Sequence, residues 1–115
     1  MNIVIVDDSP DTAEMLRMLF DLKGHSALVA FSGKSGIELA CVAEPDLVIV
    51  DVGLPDMDGV EVVRSLHSIC EHGKCRIVVY TGRSDYETRH RAEQAGAEHV
   101  FIKSHDISGL LAIAN

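Results

Sequence analysis

The chain has 115 residues, 47% of them hydrophobic, and a formal net charge of −8, which is material for one core and one domain, 1–115. The negative balance excludes a bare nucleic-acid or anionic-membrane surface, and no segment reaches the ~20 apolar residues of a bilayer span. The start, Met1-Asn2-Ile3, lacks the basic region and long apolar stretch of a signal peptide, so the expectation is a soluble, cytoplasmic protein.

Residues Ile3–Val6 read as a first strand that ends on an acidic pair, Asp7-Asp8. Ser9 can cap a helix whose first residue is Pro10, where a missing N–H costs nothing. Leu16, Leu19, Phe20 and Lys23 share one face of that helix, and Gly24 suits its exit. Ala27–Phe31 is a weaker second strand. Residues 35–43 form a helix with Ile37, Ala40, Cys41 and Glu44 at helical spacing, stopped by Pro45. Leu47–Val50 is a third strand that runs straight into Asp51. Asp58 is placed to cap a helix over Val60–Ile69, while Asp56 reads as a solvated loop residue. Ile77–Tyr80, followed by Thr81, is the fourth strand. The helix after it, Ser84–Ala95, is poor in apolar residues, with Tyr86 and Ala92 as its anchors. His99–Ile102, followed by Lys103, is the fifth strand, and Ile107–Ala114 the last helix.

The three cysteines, Cys41, Cys70 and Cys75, are an odd number in a chain without secretory features, so free thiols are expected. The stretch "HSICEHGKC" holds zinc-type ligands in His67, Cys70, His72 and Cys75. Helical spacing would send Cys70 and His72 to different faces, and the stretch reads as a helix end and loop.

Strands alternating with helices, each strand a continuous Val/Ile-rich run, indicate an α/β fold with a parallel sheet covered on both faces. Sites in such sheets form beyond the carboxyl ends of the strands. Asp7, Asp8, Asp51, Thr81 and Lys103 all follow strands, so one edge collects them. Three carboxylates in one crevice repel one another, and Mg²⁺, which takes oxygen ligands and retains water, relieves the conflict. A lysine and a hydroxyl beside them make a site suited to a phosphoryl group, with Asp51 as nucleophile. Singly, each residue has a plainer role as a helix cap, a strand-end hydroxyl or a solvated lysine; their conjunction at the strand ends carries the reading. "GKS" at 33–35 is no P-loop, since the glycine that motif needs at position 28 is Leu28.

The acidic pair Asp7-Asp8, Asp51 within "DVGLPDMDG", Thr81 followed by Gly82, and Lys103 resemble, in order and spacing, the receiver domain of bacterial two-component response regulators. The resemblance spans essentially the whole chain. It implies a flavodoxin-like (βα)5 three-layer sandwich with a five-stranded parallel sheet of order 2-1-3-4-5. It further implies that Asp51 accepts a phosphoryl group from a sensor histidine kinase or histidine phosphotransfer protein in a phosphorelay. Asp8, Asp51 and the Gly53 carbonyl would ligate Mg²⁺, with Asp7 assisting through water. Lys103 would bridge to phosphoryl oxygens, and Thr81 would move to bond them, switching a face made of the fourth helix, fifth strand and fifth helix. Such a domain is a signalling switch whose only catalysis is its own phosphotransfer and dephosphorylation. With Met1 almost on the first strand, an N-terminal or free-standing receiver is expected.

Two departures stand out. The family usually has proline after the lysine, where this chain has Ser104, and a switch aromatic three residues before it, where this chain has Val100 with Phe101 adjacent. Val100 is too small to gate, so the fourth helix is the expected moving part. Two other classes fit the residues less well. A haloacid-dehalogenase-type phosphatase wants a second Asp where Gly53 stands, and a cap region. A flavodoxin-like FMN carrier wants a hydroxyl-rich phosphate loop where "DDSPD" would repel the ligand.

Overall fold

The apolar runs become strands β1 (Asn2–Val6), β2 (Ser26–Ala30), β3 (Leu47–Val50), β4 (Arg76–Thr81) and β5 (His99–Ile102). Between and after them lie helices α1 (Pro10–Leu22), α2 (Gly33–Ala43), α3 (Gly59–Ile69), α4 (Tyr86–Ala95) and α5 (Ile107–Ala112). The computed structural model describes residues 1–70 and 75–114; His72 of the zinc-type stretch lies outside the described residues.

All strand pairs are parallel, in the order β2-β1-β3-β4-β5 expected from the resemblance. Parallel strands need crossovers, which α1 to α4 supply, and all five helices cover the faces of the sheet. Side chains of a strand alternate between faces. Val4 and Val6, Val48 and Val50, and Ile77 and Val79 therefore enter one core with Val60, Val63 and Leu66 of α3 and Ala92 of α4. Ile3 and Ile5, Leu47 and Ile49, and Val78 and Tyr80 enter the other with Leu16 and Phe20 of α1 and Leu110 of α5. Burial on both faces is why the strands read as unbroken apolar runs. The same alternation sends Val100 to the first core and Phe101 to the second, opposite faces as period two requires.

Some boundaries moved for local reasons. Helix α2 starts two residues earlier than the spacing predicts, because Ser32 caps it: its hydroxyl accepts from Ser35 N–H at 3.2 Å while Ser35 Oγ accepts from Ser32 N–H at 3.3 Å. Its inner face is Gly33, Gly36 and Ala40, whereas Cys41 is exposed and Glu44 ends the helix in the left-handed region at φ 48°. Helix α4 starts at Tyr86, capped by Asp85, which accepts from the N–H and the hydroxyl of Thr88 at 3.0 and 2.7 Å. Tyr86 is no anchor: it is 79% exposed and stacks on His90, and buried Thr88, Ala92 and Ala95 hold the helix instead.

Candidate functional site

The register builds the site. Val6 pairs with both Ala30 and Val50, and Thr81 pairs with Ile102, so neighbouring strands end level with one another. Backbone bonds continue past the ends: Asp7 N–H donates to the Ala30 carbonyl at 3.0 Å, Asp51 N–H to Val6 at 2.9 Å and Lys103 N–H to Thr81 at 2.9 Å. The side chains that follow must then emerge together at the carboxyl edge, where strand order reverses between β1 and β3.

They do converge. One carboxylate oxygen each of Asp7, Asp8 and Asp51 lies within 4.8 Å of the others, the one such group of potential metal ligands among the described residues. Asp7 and Asp51 are buried and Asp8 is exposed. Lys103 Nζ bridges the buried pair, 2.9 Å from Asp7 Oδ2 and 3.1 Å from Asp51 Oδ2. Burial pushes the Asp7 carboxyl above its usual range, and the Asp51 charge adds to the push; the Ser9 N–H and the Lys103 ammonium pull against it without winning. Burial works to lower Lys103, but Asp7 and Asp51 together hold it above its ordinary value, so it remains a cation.

Thr81 stands at the end of β4, 1% exposed, with its hydroxyl accepting from Arg83 N–H at 3.3 Å. Gly53 lies exposed just beyond Asp51, its N–H 3.4 Å from Asp51 Oδ1. It forms an isolated antiparallel bridge with Asp58, closing the loop that carries Pro55 and Asp56. Asp7, Asp8, Asp51, Gly53, Thr81 and Lys103 are thus at one edge, although the Thr81 hydroxyl faces its own loop.

Two interactions escaped the sequence. Asp56 is exposed yet far from idle: it accepts from Gly33 and Lys34 N–H at 2.8 and 2.9 Å, tying the site loop to the start of α2 and holding its carboxyl below the usual range. Asp58 caps α3 through Val60 N–H at 2.9 Å, as expected, and also meets Arg91 of α4 at 2.8 Å. Burial tends to raise the Asp58 carboxyl, but these two donors lower it. No local spacing marks either partner, since both bonds join separate elements.

At the position after the lysine, Ser104 sits at φ +73°, and no described peptide bond is cis. Proline, fixed near φ −65°, cannot adopt that backbone. Ser104→Gly should gain about 0.5 kcal/mol, the roughly 1–2 kcal/mol left-handed cost less about 0.5–1 for glycine entropy. Ser104→Pro should lose stability, and urea denaturation of the two variants reads both signs.

An open parallel sheet with helices on both faces, and an oxygen-rich, lysine-bridged acidic site at its topological switch point, defines a flavodoxin-like α/β protein built to handle a phosphoryl group or a hard cation. The sequence model described as Response regulator receiver domain matches residues 3–115, and the chain belongs to that family. It is 29% identical over 110 residues to the transcriptional regulatory protein KdpE of Mycobacterium tuberculosis, covering 96% of this chain and 47% of that protein. It is also 29% identical over 105 residues to sporulation initiation phosphotransferase F of Bacillus subtilis, covering 91% of this chain and 83% of the relative. The chain spans about half the length, or less, of several curated relatives it matches. Among solved structures it is similar to a two-component response regulator from Clostridium difficile, with TM-score 0.92, 23% identity, and coverage of 99% and 92% of the two chains. The chain is a receiver domain of two-component signalling, a family whose members receive phosphoryl groups from histidine kinases and generally bind Mg²⁺ at an acidic site.

Proposed function

We propose that Asp51 is the phosphoacceptor, and that 1–115 acts in the cytoplasm as one receiver domain whose donor is a histidine kinase or histidine phosphotransfer protein. The observation that carries this reading is the Lys103 ammonium set between Asp7 and Asp51 beside a third carboxylate. A carboxylate oxygen of Asp51 attacks the phosphorus of a phosphohistidine, a P–O bond forms as the P–N bond breaks, and the imidazole leaves with a proton. Lys103, already in contact with Asp51 Oδ2, transfers its charge to the arriving phosphoryl oxygens. Thr81 exchanges the Arg83 N–H for one of those oxygens, drawing its loop inward. Helix α4, held by small Ala92 and Ala95 and by Thr88, is the element that follows, while β-branched Val100 keeps one rotamer.

The donor set suits Mg²⁺: the converging ligand atoms are all hard carboxylate oxygens. Asp8, Asp51 and the Gly53 carbonyl would hold it, with Asp7 through water; when bound it supplies positive charge that stabilises the phosphoryl oxygens. Beryllium fluoride, a phosphoryl mimic, should bind at Asp51 only with a divalent cation present, read by fluorine NMR; binding without metal, or none with it, would count against the assignment.

Metal should also report on stability. Free Mg²⁺ at tenfold its Kd adds about 1.4 kcal/mol by mass action, a rise of several degrees in Tm. Asp8→Ala removes a ligand and a repelling charge together, so the rise disappears while metal-free stability stays at or above wild type. A wild-type melt indifferent to millimolar Mg²⁺ would sink the site.

A further inference from the structure

All three cysteines of the chain line one cleft of about 500 Å³. The cleft opens at the amino edge of the sheet, opposite the carboxylates, where the C-terminal ends of α2 and α3 meet the start of β4. Cys41 is exposed on α2; Cys70, which ends α3, and Cys75, which precedes β4, are half-buried. Cys75 S–H reaches the Arg76 carbonyl at 3.7 Å. Burial, then the neighbouring Cys70 thiol, then the Asp46 charge push the Cys75 thiol up to about 12. Cys70 and Cys75 thus line the same cleft five positions apart in the sequence, near enough for the Cys70 thiol to perturb Cys75, and the Cys75 thiol holds its proton.

We propose that Cys70 and Cys75 form a redox-active dithiol, a modification site separate from the phosphoryl edge, oxidised by a small disulfide of the glutathione class. The Cys70 thiolate attacks one sulfur of the oxidant, forming a mixed disulfide and releasing one glutathione thiolate. Cys75 then gives up its proton and attacks the Cys70 sulfur, expelling the second glutathione. The protein loses two electrons and two protons, the oxidant's S–S bond is reduced, and both protons end on glutathione thiols. The slow ionisation of Cys75 is offset because its attack is intramolecular. The product fastens the end of α3 to the start of β4.

The test uses the full chain in graded glutathione redox buffers, quenched by alkylation and digested with trypsin without reduction. Cleavage after Arg64, Lys74 and Arg76 separates the two cysteines, so the bond appears as peptide 65–74 linked to Cys75-Arg76. The intact mass falls by two hydrogens. The linked species is expected in wild type and Cys41→Ser, and absent from Cys70→Ser. Cys75→Ser and Cys75→Ala should both stop at glutathione on Cys70; two replacements, each checked by circular dichroism, separate lost chemistry from lost packing. Alkylated Cys70 and Cys75 in a buffer that fully modifies Cys41 would overturn the proposal. So would purified wild-type protein that carries bound zinc lost on Cys70→Ser.

Discussion

Asp51→Asn should take up no phosphoryl group at position 51 under conditions where the wild-type chain acquires one. Asparagine keeps the size of the side chain but lacks the anionic oxygen that must form the P–O bond. The rest of the site survives: Asp7 retains Lys103 at 2.9 Å, and Asp51 N–H still donates to Val6, so the loss is chemical rather than structural. Removing one of three crowded carboxylates also lowers repulsion, and the variant should melt no lower than wild type without metal. Incubation with acetyl phosphate and Mg²⁺, followed by intact-mass and peptide analysis, reads the result. Equal labelling of position 51 in both proteins is chemically excluded, and equal total labelling would move the acceptor elsewhere. The redox dithiol would be untouched by that outcome, because it shares no residue with this edge.

Gly59→Ala is expected to be the most damaging small change near the site. A Cβ there would lie 2.2 Å from the Asp51 carbonyl oxygen and 2.5 Å from Val52 Cα. Those are backbone atoms at the exit of β3, and no rotamer relieves the overlap. Gly59 N–H also donates to the Val52 carbonyl at 2.9 Å, so the start of α3 is pinned where the clash occurs. Either α3 or the strand end must shift, at a cost of about 3 kcal/mol, the upper part of the overpacking range. The displaced residue is Asp51 itself, so phosphoryl labelling should slow as well. Two glycines serve as controls. Gly53→Ala meets nothing within 4 Å, and Gly33→Ala meets Met57 Cγ and Sδ, atoms of a flexible side chain, together with Val62 Cγ2 at 2.9 Å, so it should fall between Gly53→Ala and Gly59→Ala. Urea denaturation should rank Gly59→Ala far below both; a Gly59→Ala variant as stable as Gly53→Ala would mean the loop has slack that the close approach denies.

Much of this was legible in the sequence. The range Leu47–Val50 was read correctly because a strand buried on both faces leaves an unbroken apolar run, the half-buried edge strand His99–Ile102 because Val100-Phe101-Ile102 is a short β-branched and aromatic run before Lys103, and Ser9-Pro10 marks a helix start by local hydrogen-bonding rules. Since parallel sheets gather their strand ends, Asp7, Asp8, Asp51, Thr81 and Lys103 could be assigned to one edge from their positions alone. Strand order could not: alternation of strand and helix fits several orders, and 2-1-3-4-5 came only with the family resemblance before the register showed it.

What only the tertiary structure decided is who meets whom across elements. Asp56 looked like a loop residue because its partners, Gly33 and Lys34, lie on another helix. Arg91 reaches Asp58 only because α4 packs beside α3. Tyr86 looked like an anchor by hydrophobicity, yet the turn begun by Asp85 aims it at solvent and buries Thr88 instead. Cys41, Cys70 and Cys75 share a cleft because the ends of α2 and α3 come down on the same edge of the sheet. Sequence pattern reports each residue's relation to water and to neighbours within about one helical turn. Pairings between distant segments depend on how helices seat on a twisted sheet, and no local spacing encodes that.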